Sequence, residues 1–168
     1  MAKRQPLPFD EALRRTERIT SLLAKDSWYA IRARSALHTA HDIIWDHDYN
    51  RPSEFADTYN VVQNSLALNV ALAVARVFDV SDPDRHPVEQ QDKASIPVLA
   101  TLLMRPDVQD ALAEKARDWH PQLMGGAELG EASCREALST ALALYETYIK
   151  STDAPIGVVD QAGARPLR

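Results

Sequence analysis

The stretch LALNVALAVARVF, Leu66 to Phe78, constrains the fold of this chain more than any other. Eleven of its 13 residues are apolar, and only Asn69 and Arg76 interrupt it. A helix that is apolar on nearly every side is stable in water only if most of its surface is covered, because exposed apolar area forgoes about 25 cal/mol per Å². A membrane span needs about 20 consecutive apolar residues, so the run is too short to cross a bilayer. It reads instead as the second half of a long, buried, central helix over about Glu54–Phe78, whose first half is amphipathic through Phe55, Tyr59, Val62 and Leu66. Asn50, Pro52 and Ser53 precede it, and the polar, proline-broken VSDPDRHPVEQQDK follows as a surface loop.

Helical periodicity continues on both sides of this segment, and strand-like alternation is absent before the tail. Pro8 can open a first helix in which Phe9, Ala12, Leu13, Thr16, Ile19 and Leu23 share a face. Asp26 and Ser27 offer cap oxygens for a second helix, or the two run on with a bend; Tyr29, Ala33, Ala36, Leu37, Ala40, Ile43 and Ile44 form the stripe of the second part. After the loop come two short helices, IPVLATLL and PDVQDALAEKARDW, each with proline near its start. Gly125 and Gly126 then separate them from a last long helix striped by Leu138, Ala141, Leu142, Tyr145, Tyr148 and Ile149. The expected architecture is all-α: a single bundle domain of five to six helices over residues 1–150, followed by an irregular C-terminal arm, residues 151–168. A chain of 168 residues buries roughly 70% of its unfolded surface, enough for one core without cross-links.

Composition narrows the function classes. One cysteine, Cys134, precludes an intramolecular disulfide, and the N-terminus lacks the apolar block of a signal peptide, so a cytoplasmic protein with no membrane partner is expected. A net charge of -5 disfavours a protein that coats nucleic acid by neutralising phosphates, and no DNA partner is expected. A local basic surface from Arg14, Arg15, Arg18, Arg32 and Arg34 stays compatible with RNA.

Chemistry-bearing residues concentrate in HTAHDIIWDHD, residues 38–48. His38 and His41, with Asp42, have a spacing that suits one metal ion, but Arg34, His38, His41 and Trp45 fall on a stripe pointing away from the apolar face of their helix. An inward-facing metal site would need the opposite orientation, so no metal or other cofactor is expected and a metal-binding bundle stands as an alternative. The same stripe, with Trp45 and Arg34, has the composition of an interface, as do Tyr145 and Tyr148 on the last helix. Nucleophilic catalysis has little support: Cys134 lies in polar opening turns, and no serine elbow, phosphate loop or dinucleotide motif occurs. His86 and His120 precede prolines in loops, and Asp82 and Asp84 read as loop solvation. Arg76 sits in the last turn of the apolar helix, where it complements the carbonyl end of the dipole and can pair with Asp79, or else reach another helix or chain.

Two long helices, then a helix ending Ala75-Arg76-Val77-Phe78-Asp79, a polar loop, and Ser95 leading into Ile96-Pro97-Val98-Leu99-Ala100-Thr101-Leu102-Leu103 form a recognisable order. This order resembles the HEPN superfamily, specifically its abortive-infection AbiU-type branch, most clearly over residues 55 to 104. The resemblance implies a helical bundle, a homodimer, and a setting in phage defence or a toxin–antitoxin pair, with a cognate antitoxin or RNA as partner. Active members resemble metal-independent endoribonucleases, in which an arginine and a histidine separated by four to six residues in a late helix handle the phosphate and the 2′-hydroxyl proton. No such pair follows His86 here; the catalytic phrase is expected beyond Arg168, in a chain that either continues into it or lacks it. Arg34, His38 and His41 are the stripe-sharing candidates if this chain cleaves RNA, while Arg76 and Asp79 serve as the structural signature. The leading expectation is a helical binding and dimerisation module.

Overall fold

The computed structural model describes residues 7–46, 56–82 and 85–153; of the expected irregular arm, 151–168, residues 151–153 instead continue the last helix, and the remainder lies outside the described residues. Five α-helices follow one another: α1 (Phe9–Asp46), α2 (Ala56–Val77), α3 (Ile96–Leu103), α4 (Pro106–Ala116) and α5 (Gly126–Asp153), with a 3₁₀ turn at Val88–Gln90. The protein is an all-α helical bundle, and no strand occurs among the described residues. Contacts gather the chain into two compact units, Met1–Ala111 and Leu112–Arg168.

The first unit is built on α1. This helix runs unbroken through Asp26 and Ser27, so their side-chain oxygens cap nothing and the apolar period carries the helix across them. A buried or half-buried line runs along it through Ala12, Thr16, Ile19, Leu23, Asp26, Ala30, Ala33, Leu37, Ala40 and Ile44, widened in the first turns by Glu11, Leu13 and Arg15. The positions from Ala12 to Ile44 on this line alternate steps of four and three, the seven-residue repeat that keeps one seam facing a partner helix. Along α2 the same alternation links Tyr59, Gln63, Leu66, Val70, Ala73 and Val77. The Arg76 guanidinium, near the end of α2, lies 3.7 Å from the Asp26 carboxylate in the middle of α1. The end of α2 therefore meets the middle of α1, and the two helices pack antiparallel over the second half of α1.

The first half of α1 meets the rest of the unit. Arg15 donates to the Gln90 carbonyl at 3.2 Å, Arg18 pairs with Asp92, and Arg105 donates to the Leu7 carbonyl at 2.6 Å. Here the core is dense: Ala12, Thr16, Ile19, Val98, Leu102 and Val108 are each at most 1% exposed. Glu11 bridges Arg15 and Arg14, which hold its carboxyl below the usual range, Arg15 foremost. Gln91, buried, staples the loop between α2 and α3: its Oε1 accepts from the Ser81 N–H at 2.7 Å, and its Nε2 donates to the Ser81 and His86 carbonyls at 3.1 and 2.9 Å. One amide thus satisfies three backbone groups of a segment without regular structure, which explains why a polar residue is buried there.

Burial of α2 differs from the sequence expectation. Leu68, Leu72 and Val74 are 61%, 52% and 49% exposed, and Ala73 alone is classed as buried among the described side chains of the helix. The physical reason is geometric: one neighbouring helix covers one stripe, and α1 is the principal helix partner of α2. An apolar period identifies a helix that must be covered; it does not say that one copy of the chain covers it.

In the second unit, the opening of α5 packs closely on the chain that precedes it. Gly125 adopts φ +71°, the left-handed conformation glycine reaches without a Cβ clash, and turns the chain into α5. Gly126, Gly130 and Cys134 then form a buried stripe of small residues, with Gly126 against His120 and Gly130 against Ala116. A Cβ on Gly130 would fall 2.0 Å from the Ala116 carbonyl oxygen, and one on Gly126 1.9 Å from that of His120. Burial pushes the Cys134 thiol pKa up, which makes it a packing residue and a poor nucleophile. In an open helix, glycine to alanine gains about 1 kcal/mol. For Gly130→Ala the sign reverses here, with a loss of about 2 kcal/mol from overpacking, measurable by chemical denaturation. A stabilised variant would show that the helices do not approach this closely.

Candidate functional site

Two surfaces carry the candidate residues. The first is the polar side of α1. Arg34, His38 and His41 are all exposed there, and the side chain of Trp45 lies outside the described residues. His38 Nδ1 is 2.8 Å from Asp42 Oδ2, one turn on. This contact orients the imidazole, whose side chain is 78% exposed. No cleft encloses the group, and among the described residues no set of three His, Cys, Asp or Glu side chains is placed to hold a metal ion. The arrangement presents an oriented imidazole on an open helix surface, where it can contact a partner.

The second surface is α2 with its two ends. Arg76 does not reach the Asp79 carboxylate; the two are joined through the backbone, where the Asp79 N–H donates to the Arg76 carbonyl at 3.2 Å. Asp79 instead accepts from Lys93 Nζ at 2.7 Å, which ties the exit of α2 to the segment before α3. Arg76 turns toward Asp26 across the hairpin at 3.7 Å, and its side chain remains 65% exposed. A clasp within the last turn was one of two sequence options, and the interhelical contact is the other. Local spacing favours the former, but the register of two helices fifty residues apart decides, and neither Asp26 nor Lys93 carries a local signal of that role.

Away from the α1 seam, Val61, Leu68, Leu72 and Ala75 lie on the opposite side of α2 at successive steps of seven, four and three. Val61, Leu68 and Leu72 are all at least half exposed. The helix is charged only at its two ends, by Asp57 in the first turn and Arg76 in the last. On α5, Tyr145 and Tyr148 stack with ring centroids 6.5 Å apart and planes 29° apart. Partial burial raises the Tyr145 pKa, with Tyr148 adding to the shift. These two residues belong to the second unit, whereas the α1 and α2 surfaces belong to the first.

No helix among the described residues is long and apolar enough to cross a membrane. Comparisons with family models, with curated proteins and with solved structures gave no match.

An exposed pair at 3.7 Å contributes little, since solvent screening and side-chain entropy leave such contacts about 0–1 kcal/mol. Arg76→Ala is therefore expected to change the unfolding free energy of the dilute protein by less than about 0.5 kcal/mol. A loss above about 2 kcal/mol would make Arg76 a structural residue of the hairpin after all.

Proposed function

We propose that this chain is a HEPN-like helical domain of a phage-defence or toxin–antitoxin system, acting in this form as a binding and dimerisation module. The observation that carries the module reading is the exposure of one face of α2, where Val61, Leu68 and Leu72 all stand at least half open to solvent. Contiguous apolar surface of this kind marks an interaction site in a folded protein. The order of helices and the Arg76 to Asp79 phrase support the HEPN-like assignment by resemblance, and that resemblance also suggests a second copy as partner. An RNA or a cognate antitoxin remains a further partner of the same module.

A ribonuclease reading has one observation in its favour, the contact between His38 and Asp42, which would orient the imidazole as an acid or base beside Arg34. It ranks second because the three side chains stand on an open helix surface that excludes no water.

Both readings are tested on the purified full chain. The module reading predicts reversible self-association in sedimentation velocity at high micromolar concentration, with labelled RNA left intact. A strictly monomeric protein would count against it. Cleavage that disappears in His38→Ala/His41→Ala would establish the nuclease reading, whereas cleavage untouched by that double substitution would remove these residues from the active site.

A further inference from the structure

We infer that the outward face of α2 is the contact between two copies of this chain, and that the two α2 helices meet antiparallel. This rests on the module reading and adds the surface, the partner and the orientation. The face consists of Val61, Leu68, Leu72 and Ala75, opposite the seam that holds α1. Its spacing matches the repeat with which α2 already packs on α1, so the helix has two seams and the hairpin fills one. The residues flanking the face are Asn64, Ser65 and Ala71, polar or small and uncharged, so its burial leaves no ionised group stranded.

Charge selects both the occupant and its direction. Between Asp57 and Arg76 the helix has no acidic or basic side chain, and these two have opposite sign at opposite ends. A second copy in parallel would set Asp57 against Asp57 and Arg76 against Arg76. An antiparallel copy centred near Leu68 brings each Asp57 within about one helical turn of the second copy's Arg76, and the two macrodipoles oppose. Arg76 is free to make this contact, since its side chain is 65% exposed and its pairing with Asp26 is long, 3.7 Å. The pairing is isologous, so both ends gain the same contact and the assembly closes at two.

Area sets the strength. The 22 residues of α2 span about 33 Å, and a third of the accessible circumference of a helix over that length is roughly 450 Å². Two copies together then bury roughly 900 Å², below the roughly 1,200 Å² at which stable interfaces begin, so the dimer is weak and dissociates on dilution.

Sedimentation equilibrium of the full chain from about 1 to 200 µM, a range that brackets micromolar dissociation constants, tests this directly. Wild type should pass from monomer to dimer. Leu68→Lys, at a position 61% exposed in the single chain, should remain monomeric with an unchanged helical circular dichroism spectrum, and Leu72→Gln serves the same purpose should the first variant misfold. Asp57→Arg and Arg76→Asp should each weaken the dimer about tenfold or more, while the combined Asp57→Arg/Arg76→Asp chain should return to within about threefold of wild type. A wild type that stays monomeric throughout overturns this contact and the dimerisation reading together. A dimer indifferent to folded Leu68→Lys and Leu72→Gln overturns the α2 contact alone. A dimer broken by those changes but indifferent to the charge exchange overturns the antiparallel direction.

Discussion

The seam between α1 and α2 is the constraint on which the first unit depends. It is read from steps of four and three on both helices, and it is narrow because its α1 side includes Ala30, Ala33 and Ala40 while its α2 side includes Ala73. Small side chains let the helix axes approach closely but bury little area each, so the second half of α1 has a thinner core than the first. The register that this seam sets brings Arg76 to Asp26, and it leaves the face of Leu68 and Leu72 on the far side of α2. A narrow seam and an apolar helix thus have one joint consequence: the hairpin is complete as a fold and incomplete as a buried surface.

Much of the helical framework was legible from residues alone, because its signals are local. Proline in the first turn of IPVLATLL and at the head of PDVQDALAEKA, and the glycine pair at the opening of α5, coincide with the observed starts of α3, α4 and α5. The join at Asp26 and Ser27 was ambiguous because two good capping residues compete with an apolar repeat that runs through them, and the repeat prevails. The exposure of α2 departs from its hydrophobicity for a different reason. Hydrophobicity states what a segment requires, while which chain supplies the cover depends on how many helices reach it, a non-local property.

The candidate sites divide in the same way. The facing of Arg34, His38 and His41 follows from 100° per residue and could be worked out from spacing, whereas the contact of His38 with Asp42 needs a rotamer. Partners of Arg76 and Asp79 were opaque, since Asp26 and Lys93 enter only through the packing of α2 and the path of the loop that Gln91 staples. Gln91 had no sequence signature at all; a buried glutamine is recognised only once the backbone groups it satisfies are known. The two charges of α2 were visible from the start, and their meaning emerged only when the face between them proved open.

If α2 is shared between copies, its backbone amides should respond to protein concentration while the dense core around Ile19, Val98 and Leu102 does not. Amide hydrogen exchange at about 2 and 200 µM, on either side of a micromolar dissociation constant, is the most direct measurement. The account predicts slower exchange over residues 61–75 at the higher concentration, with peptides covering Ala12–Leu23 unchanged. Exchange over 61–75 that is identical at both concentrations would contradict it.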